Sequence, residues 1–375
     1  MASTEPPALS HDAEAVLSLL RDSHNALISG PPATGKTRLL SEIRRAFEWS
    51  PGPAYVPERR IPLPADAVTQ ALWLPSPARA DRQVFNTVFD QSTKMRDVLR
   101  GVLPVVGAGN ADTKSVQFMV SRGTLYRAAE HALTDDGAAL MIVDEINRGP
   151  AVAAFGPSLV ALESDKRLDT DGKPTQETQT FELLDDNGNV VDYALPAHLY
   201  VLGAMNQADT SVEAMDVAFL RRFAPFKLKP SGQTLRSHFS LGSGASPLPA
   251  APASASDYYE AAVTAWEMVN QRLTLGRGDA YQIGHGTLMN GAPPTGLSES
   301  ADYLRIGWSS VRQHVEEVFF GDTRGIAAVL SANAAGSPYK LTESTFAGQP
   351  VVQFDAPDDL SDAELYGVLR SISTT

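Results

Sequence analysis

The 375-residue chain contains no cysteine. Disulfide frameworks, thiolate zinc sites and cysteine nucleophiles are therefore excluded, and the absence fits a reducing compartment. Apolar runs of membrane-spanning length are also missing. The start, Met1-Ala2-Ser3-Thr4-Glu5, lacks the basic-then-apolar order of a secretory leader. Basic residues are in deficit: 31 Lys and Arg face 44 Asp and Glu, a formal charge of −13. A duplex-binding face is normally basic, so the surface as a whole is not expected to grip nucleic acid, although a local basic strip stays open. The expectation is a soluble, cytoplasmic protein, long enough for one large or two ordinary domains.

What is present centres on one stretch. Gly30-Pro31-Pro32-Ala33-Thr34-Gly35-Lys36-Thr37 fits the phosphate-binding pattern G-x-x-x-x-G-K-[ST] without a gap. Its glycines let backbone N–H groups turn inward around phosphate oxygens, and the following helix adds its positive N-terminal end. A Gly/Pro-rich surface turn is the alternative, but the context suits the motif. Asn25-Ala26-Leu27-Ile28 reads as a buried strand, and Leu39, Leu40, Ile43 and Phe47 recur on one helical face. In such a loop Lys36 reaches the terminal phosphates and Thr37 holds Mg²⁺.

A second motif complements the first. Ala139-Leu140-Met141-Ile142-Val143 is a continuous apolar run, the mark of a strand buried on both faces, and it ends in Asp144-Glu145. Ligand-binding groups gather at the C-terminal ends of parallel strands. Asp144 is then expected in the Mg²⁺ shell, and Glu145 as the group that orients and polarises the attacking water. Two solvent-facing carboxylates would be the alternative in isolation.

The remaining chain supplies the frame. Ala13 to Leu20 and Thr124 to Leu133 read as helices, and Ala151 to Glu163 as a longer one. Val84, Phe85, Val88 and Phe89 suit a strand or short helix, and the apolar stretch they open is broken at Gly107-Ala108-Gly109-Asn110. Seven prolines between Pro51 and Pro77 predict an irregular insertion, and residues 50–125 are insertion-rich as a whole. Asn187-Gly188 between Phe181–Leu184 and Val190–Tyr193 is a hairpin signal. His198 to Ala204 forms a buried strand that delivers Met205-Asn206, and a short helix from Asp216 carries Arg221 and Arg222 at its end. A first domain over residues 1–230 is expected, then a flexible Ser/Ala/Gly/Pro-rich connection over 231–256 and a small, mostly helical domain over 257–375. Val263, Trp266, Val269 and Leu273 have helical spacing, as do Val311, Val315, Val318 and Phe319. Ser361-Asp362-Ala363-Glu364 is a capping box, with Leu360 and Leu365 as its staple.

Taken together, these motifs resemble an AAA+ ATPase of the McrB/MoxR branch. Asp144-Glu145-Ile146-Asn147-Arg148 looks like the D-E-I-N-R signature shared by MoxR-type and McrB-type motors. Met205-Asn206-Gln207-Ala208-Asp209, followed by Asp216 and Arg221-Arg222-Phe223, is similar to the McrB-type pattern M-N-T-A-D-R … D-x-A-L-R-R-R-F at the same spacing. Glu163-Ser164-Asp165-Lys166-Arg167 and Ile283-Gly284-His285-Gly286 also look like McrB-type segments. Gln207, Thr210 and Leu220 depart from the pattern. The chain also begins close to the motor, which leaves substrate recognition to another subunit or to the insertion.

The resemblance implies an AAA+ phosphate-loop α/β core, its parallel sheet flanked by helices, with a helical lid. It implies a ring, hexameric by the same resemblance, that hydrolyses a nucleoside triphosphate with Mg²⁺. Asn206 would position the attacking water. Arg221 and Arg222 would be arginine fingers acting on a neighbouring subunit, with Arg222 taken as the finger itself. Arg148 would line the subunit interface or cap the next helix; His285 would sense nucleotide or sit in the lid core. The hairpin at Asn187-Gly188 would face a pore or partner, or be a solvated turn. The reading adopted is a McrB-like motor of a defence complex. It works with a separate nuclease or effector subunit, meets DNA only indirectly and uses ATP, with GTP possible. A MoxR-like chaperone that remodels a protein partner is the alternative, and a slow, nucleotide-gated scaffold the third.

Overall fold

The computed structural model describes residues 7–49, 79–106, 116–207 and 215–374. The proline-interrupted stretch 50–78, the Gly107–Asn110 break and the signature residues Asp209 and Thr210 lie outside the described residues. The chain divides into two compact units, Met1–Ser29 with Lys36–Lys227 and Gly30–Gly35 with Leu228–Thr375.

The first unit holds nine strands among the described residues: β1 (Asn25–Gly30), β2 (Asp81–Val88), β3 (Arg100–Val106), β4 (Val116–Arg122), β5 (Gly137–Asp144), β6 (Phe181–Leu184), β7 (Val190–Tyr193), β8 (Leu199–Asn206) and β9 (Ala224–Lys227). Five of them form one sheet in the order β2-β5-β8-β1-β9. The registered pairs β2 with β5, β5 with β8 and β1 with β9 all run parallel. The central strands are buried along nearly their whole length, as continuous apolar runs require, whereas the edge strand β2 alternates between buried and exposed residues at its start. Helix α1 (His11–Ser23) is capped by Ser10, whose hydroxyl accepts from the Ala13 N–H at 3.3 Å. That hydroxyl also donates to Glu42 at 3.0 Å, tying the start of α1 to helix α2 (Lys36–Glu48). The α2 face buries Leu39, Leu40, Ile43 and Phe47, the four positions expected from their spacing.

Two features of this unit differ from the expectation. The helix foreseen over Ala151 to Glu163 ends after one turn, at Phe155, and continues as a 3₁₀ stretch over Gly156–Ala161. Gly156 adopts φ 49°, and Pro157 after it can neither donate an N–H nor tolerate an α conformation before it. The β3–β4 pair has no counterpart in the sequence reading. It is a separate antiparallel hairpin, and its Pro104 fits only because two-stranded edges leave backbone N–H positions unpaired. Asp186, in the β6–β7 turn, forms ion pairs with both Arg100 and Arg122, so that turn is anchored to the β3–β4 hairpin rather than merely solvated.

The second unit is built on helices Gly232–His238, Ala255–Arg277, Leu297–Val318, Thr323–Val329 and Asp362–Thr374, packed around the buried Trp266 and Trp308. A hairpin of β10 (Lys340–Phe346) and β11 (Gln349–Asp355) adds a β element that the helical spacing did not signal. The segment 231–256, expected as a flexible connection, is corrected by helix Gly232–His238. Its Arg236 is buried and bonded to both oxygens of the equally buried Glu260, at 2.8 and 2.7 Å. Ser and Gly content suggested a linker, but a buried ion pair ties the segment to the longest helix. The capping box is formed as expected, with the Ser361 N–H on Glu364 at 2.9 Å and the Glu364 N–H on Ser361 at 3.4 Å. Among the described residues no helix is long and apolar enough to cross a membrane.

Candidate nucleotide site

In the first unit, parallel strands β5 and β8 end side by side, with Val143 opposite Gly203 in their register. β5 delivers Asp144 and Glu145; β8 delivers Asn206. The Asn206 amide donates to one Glu145 carboxylate oxygen at 2.7 Å. The other oxygen lies 3.3 Å from the Arg148 guanidinium Nε. The Glu145 N–H bonds back to Asp144 at 3.0 Å, which folds the two acidic residues into one corner. Glu145 also adopts φ 51°, ψ 41°, a left-handed conformation that costs a non-glycine residue about 1–2 kcal/mol. Such outliers persist only where surrounding bonds over-determine them, and they cluster at functional sites.

Two of the bracing residues were not assigned these roles by the sequence. Asn147, almost fully buried, donates its amide to the Asn206 carbonyl at 2.8 Å and so supports the residue that holds Glu145. Its partner is remote in sequence, and no local pattern advertises such a bond. For Arg148 the sequence allows either a subunit interface or a helix cap; here it pairs with Glu145.

Lys36 opens α2 and is half-buried. Burial pulls its ammonium down from the usual lysine value to about 8, against the upward pull of Glu145 and Asp144. A partly desolvated ammonium would be favoured in its charged form by a bound phosphate. Thr37 is exposed in the same first turn. An oxygen set of one hydroxyl and one carboxylate, Thr37 and Asp144, fits Mg²⁺, which completes its shell with water and phosphate oxygens. Among the described residues no group of three or more His, Cys, Asp or Glu could hold a metal ion.

The loop Gly30–Gly35 makes its own contacts within the second unit. Gly35 adopts φ 91°, and Ala33 φ 58°. A side chain at Gly30 would collide with the Leu228 carbonyl, so the glycine is sterically required. Thr34 is buried, its hydroxyl donating to the Pro31 carbonyl at 2.8 Å. The Pro32 and Ala33 carbonyls accept N–H bonds from Gly284 at 3.1 Å and Gly286 at 2.8 Å. Between these glycines His285 accepts the Ser231 N–H on Nδ1 at 3.2 Å, and its Nε2 would lie 3.9 Å from a Cβ placed on Gly35. This histidine therefore sits beside the loop rather than in the lid's apolar core.

The two arginines at the end of helix Val217–Leu220 differ sharply. Arg222 donates to the Leu159 carbonyl at 2.8 Å and to the Ala218 carbonyl, and lies 3.8 Å from Glu163. The Arg221 side chain is exposed, with no partner among the described residues. The guanidinium of Arg222 is thus engaged within the chain, whereas that of Arg221 faces outward.

In the first unit a carboxylate pair ends β5 and an asparagine ends β8, on a five-stranded parallel sheet flanked by helices in a mixed α/β fold. The chain is homologous to the EcoKMcrB subunit of the type IV methyl-directed restriction enzyme of Escherichia coli strain K12. The two are 25% identical over 317 residues, which cover 82% of this chain and 57% of that protein. It is also 26% identical over 204 residues to the YdiS component of the type II restriction enzyme BsuMI of Bacillus subtilis strain 168, across 53% of this chain and 55% of that one. The chain thus spans little more than half the length of either relative. No family model matches the sequence. Among solved structures it is similar to C. elegans PCH-2 with a TM-score of 0.30 and 11% identity, covering 81% of this chain and 67% of that one.

Proposed function

We propose that this chain is a Mg²⁺-dependent nucleoside triphosphatase that drives a restriction or defence complex. It acts as a homo-oligomeric ring, a hexamer, beside a separate nuclease or effector subunit, and meets DNA only through that partner. The observation that carries the reading is the Glu145–Asn206 hydrogen bond at the ends of two adjacent strands, beside a lysine that burial has partly desolvated. In this reading Lys36 and the loop N–H groups bind the phosphates, and Thr37 and Asp144 hold Mg²⁺, which would neutralise charge on the transferring phosphoryl group. Glu145 accepts the proton of the attacking water, and Asn206 orients that carboxylate. Arg221 completes a neighbouring site, which is why a head-to-tail ring is required. The likeness to components of restriction enzymes supports the biological setting.

ATP is the proposed nucleotide. The reason is that Asn206 is engaged with Glu145 and Asn147, so it serves the hydrolytic end of the ligand whichever base is bound. Comparing kcat/KM for ATP and GTP decides this point; a tenfold preference for GTP, about 1.4 kcal/mol, would reverse it. The activity itself is tested with two variants. Lys36→Ala is expected to lose nucleotide binding, whereas Glu145→Gln should bind and not turn over, because the carboxylate acts only on the water. Normal turnover by Glu145→Gln would remove the assignment.

A further inference from the structure

A phosphate cradle works only if its peptide N–H groups face the anion and its carbonyls face away. In a planar trans peptide the C=O and N–H point in opposite directions, so anchoring the carbonyl also aims the N–H. Two successive peptides of the loop are anchored in this way. The Pro32 carbonyl is held by the Gly284 N–H and the Ala33 carbonyl by the Gly286 N–H. The first bond orients the N–H of Ala33, the second that of Thr34. The residue between these peptides, Ala33, has φ 58° and is not glycine, so its conformation needs outside support.

We propose that the Ile283–Gly286 turn is a positioning element for nucleotide binding, in which Gly284 and Gly286 hold the loop in its phosphate-accepting form. The proposal rests on the nucleoside-triphosphatase reading and adds residues to it. Gly284 has no room for a side chain: a Cβ there would collide with the Ala33 carbonyl group and the Pro32 oxygen, which are backbone and cannot swing aside. Gly286 is less confined, since its Cβ would stand 2.9 Å from the Ala33 oxygen. Neither glycine has a positive φ, so close approach rather than backbone conformation requires them. His285 is held in the same turn by the Ser231 N–H, which keeps the turn against the loop. Losing the clamp frees both peptides to rotate, and a rotated peptide presents an oxygen to the anion.

The test uses the full chain and measures the Kd of Mg-ATP and Mg-GTP by calorimetry, with kcat at saturating nucleotide. Gly284→Ala should raise Kd at least tenfold, Gly286→Ala by at least threefold, and the control Gly242→Ala, where a Cβ meets open space, not at all. The nucleotide-free melting temperature should stay near wild type for Gly286→Ala and Gly242→Ala, while Gly284→Ala, whose Cβ has no room, is expected to melt earlier and its folded fraction to bind more weakly. A merely structural glycine would lower the melting temperature and the active fraction without changing Kd. A folded Gly284→Ala protein with wild-type Kd overturns the proposal, as does a fall in kcat at unchanged Kd. Should Gly284→Ala not fold, Gly286→Ala decides by the same criterion: a wild-type Kd overturns the clamp, and a threefold rise supports it. Failure of the wild-type chain to bind either nucleotide removes the parent reading, and is seen before any variant is compared.

Discussion

Lys36 is where residue chemistry is most exposed to measurement. Burial lowers its pKa to about 8, below the value of about 10.4 for an unfolded lysine. Between those values the unfolded chain carries more of this proton than the folded one. The contribution of Lys36 to stability is therefore unfavourable below pH 8 and is relieved as pH rises from 8 toward 10. Bound phosphate reverses the preference, because a nearby anion favours the ammonium. Nucleotide binding should accordingly take up a proton above pH 8, and affinity should fall as pH rises from 8 to 9.5, with a limit of about tenfold per pH unit. Calorimetry in buffers of different ionisation enthalpy would register the uptake. Affinity that stays level across that range would contradict the assignment of Lys36 to the phosphates. Glu145 presents the complementary case: its left-handed backbone and two side-chain partners hold one carboxylate in place before any ligand arrives.

At the level of the element, the short helix Val217–Leu220 separates two adjacent arginines by what each touches. Arg221→Ala should leave the melting temperature unchanged and nucleotide binding intact while abolishing turnover. Mixing it with Glu145→Gln subunits should restore part of the activity, since an Arg221-deficient site can then borrow a neighbour's arginine. Arg222→Ala should instead cost stability, about 1–3 kcal/mol for the carbonyl left without its charged donor. If Arg221→Ala turns over normally and Arg222→Ala alone is dead yet stable, the division is wrong. Helix Gly232–His238 offers a second element-scale test. Its Arg236 and the facing Glu260 are each 4% exposed, so neither charge can recover water when the other is removed. Glu260→Ala should destabilise the second unit by about 3–5 kcal/mol, read as an earlier urea midpoint, with a change under about 1 kcal/mol counting against the pair.

For the molecule as a whole, the charge of −13 sets the terms on which DNA is met. Phosphate contacts dominate duplex affinity and require a basic surface. The chain alone should bind duplex DNA only weakly at physiological salt and should not cut it. A nanomolar Kd for a duplex, measured by anisotropy without any partner, would overturn this view.

The sequence by itself determined the glycine-bearing loop after β1, the carboxylate-ended strand, the α2 core face and the terminal capping box. Each of these depends on neighbours within a few residues, through hydrogen bonding, side-chain period or glycine freedom. Tertiary structure decided what depends on remote partners. It stopped the helix after Phe155, and it turned an apparent linker into the helix of a buried ion pair. It joined Asn147 to Asn206 across 59 positions. It also separated Arg221 from Arg222, two residues that local pattern cannot tell apart, because only the folded chain brings the Leu159 carbonyl to one of them. Local chemistry is written in order along the chain, whereas the choice of partner is made by packing, which no period or motif records.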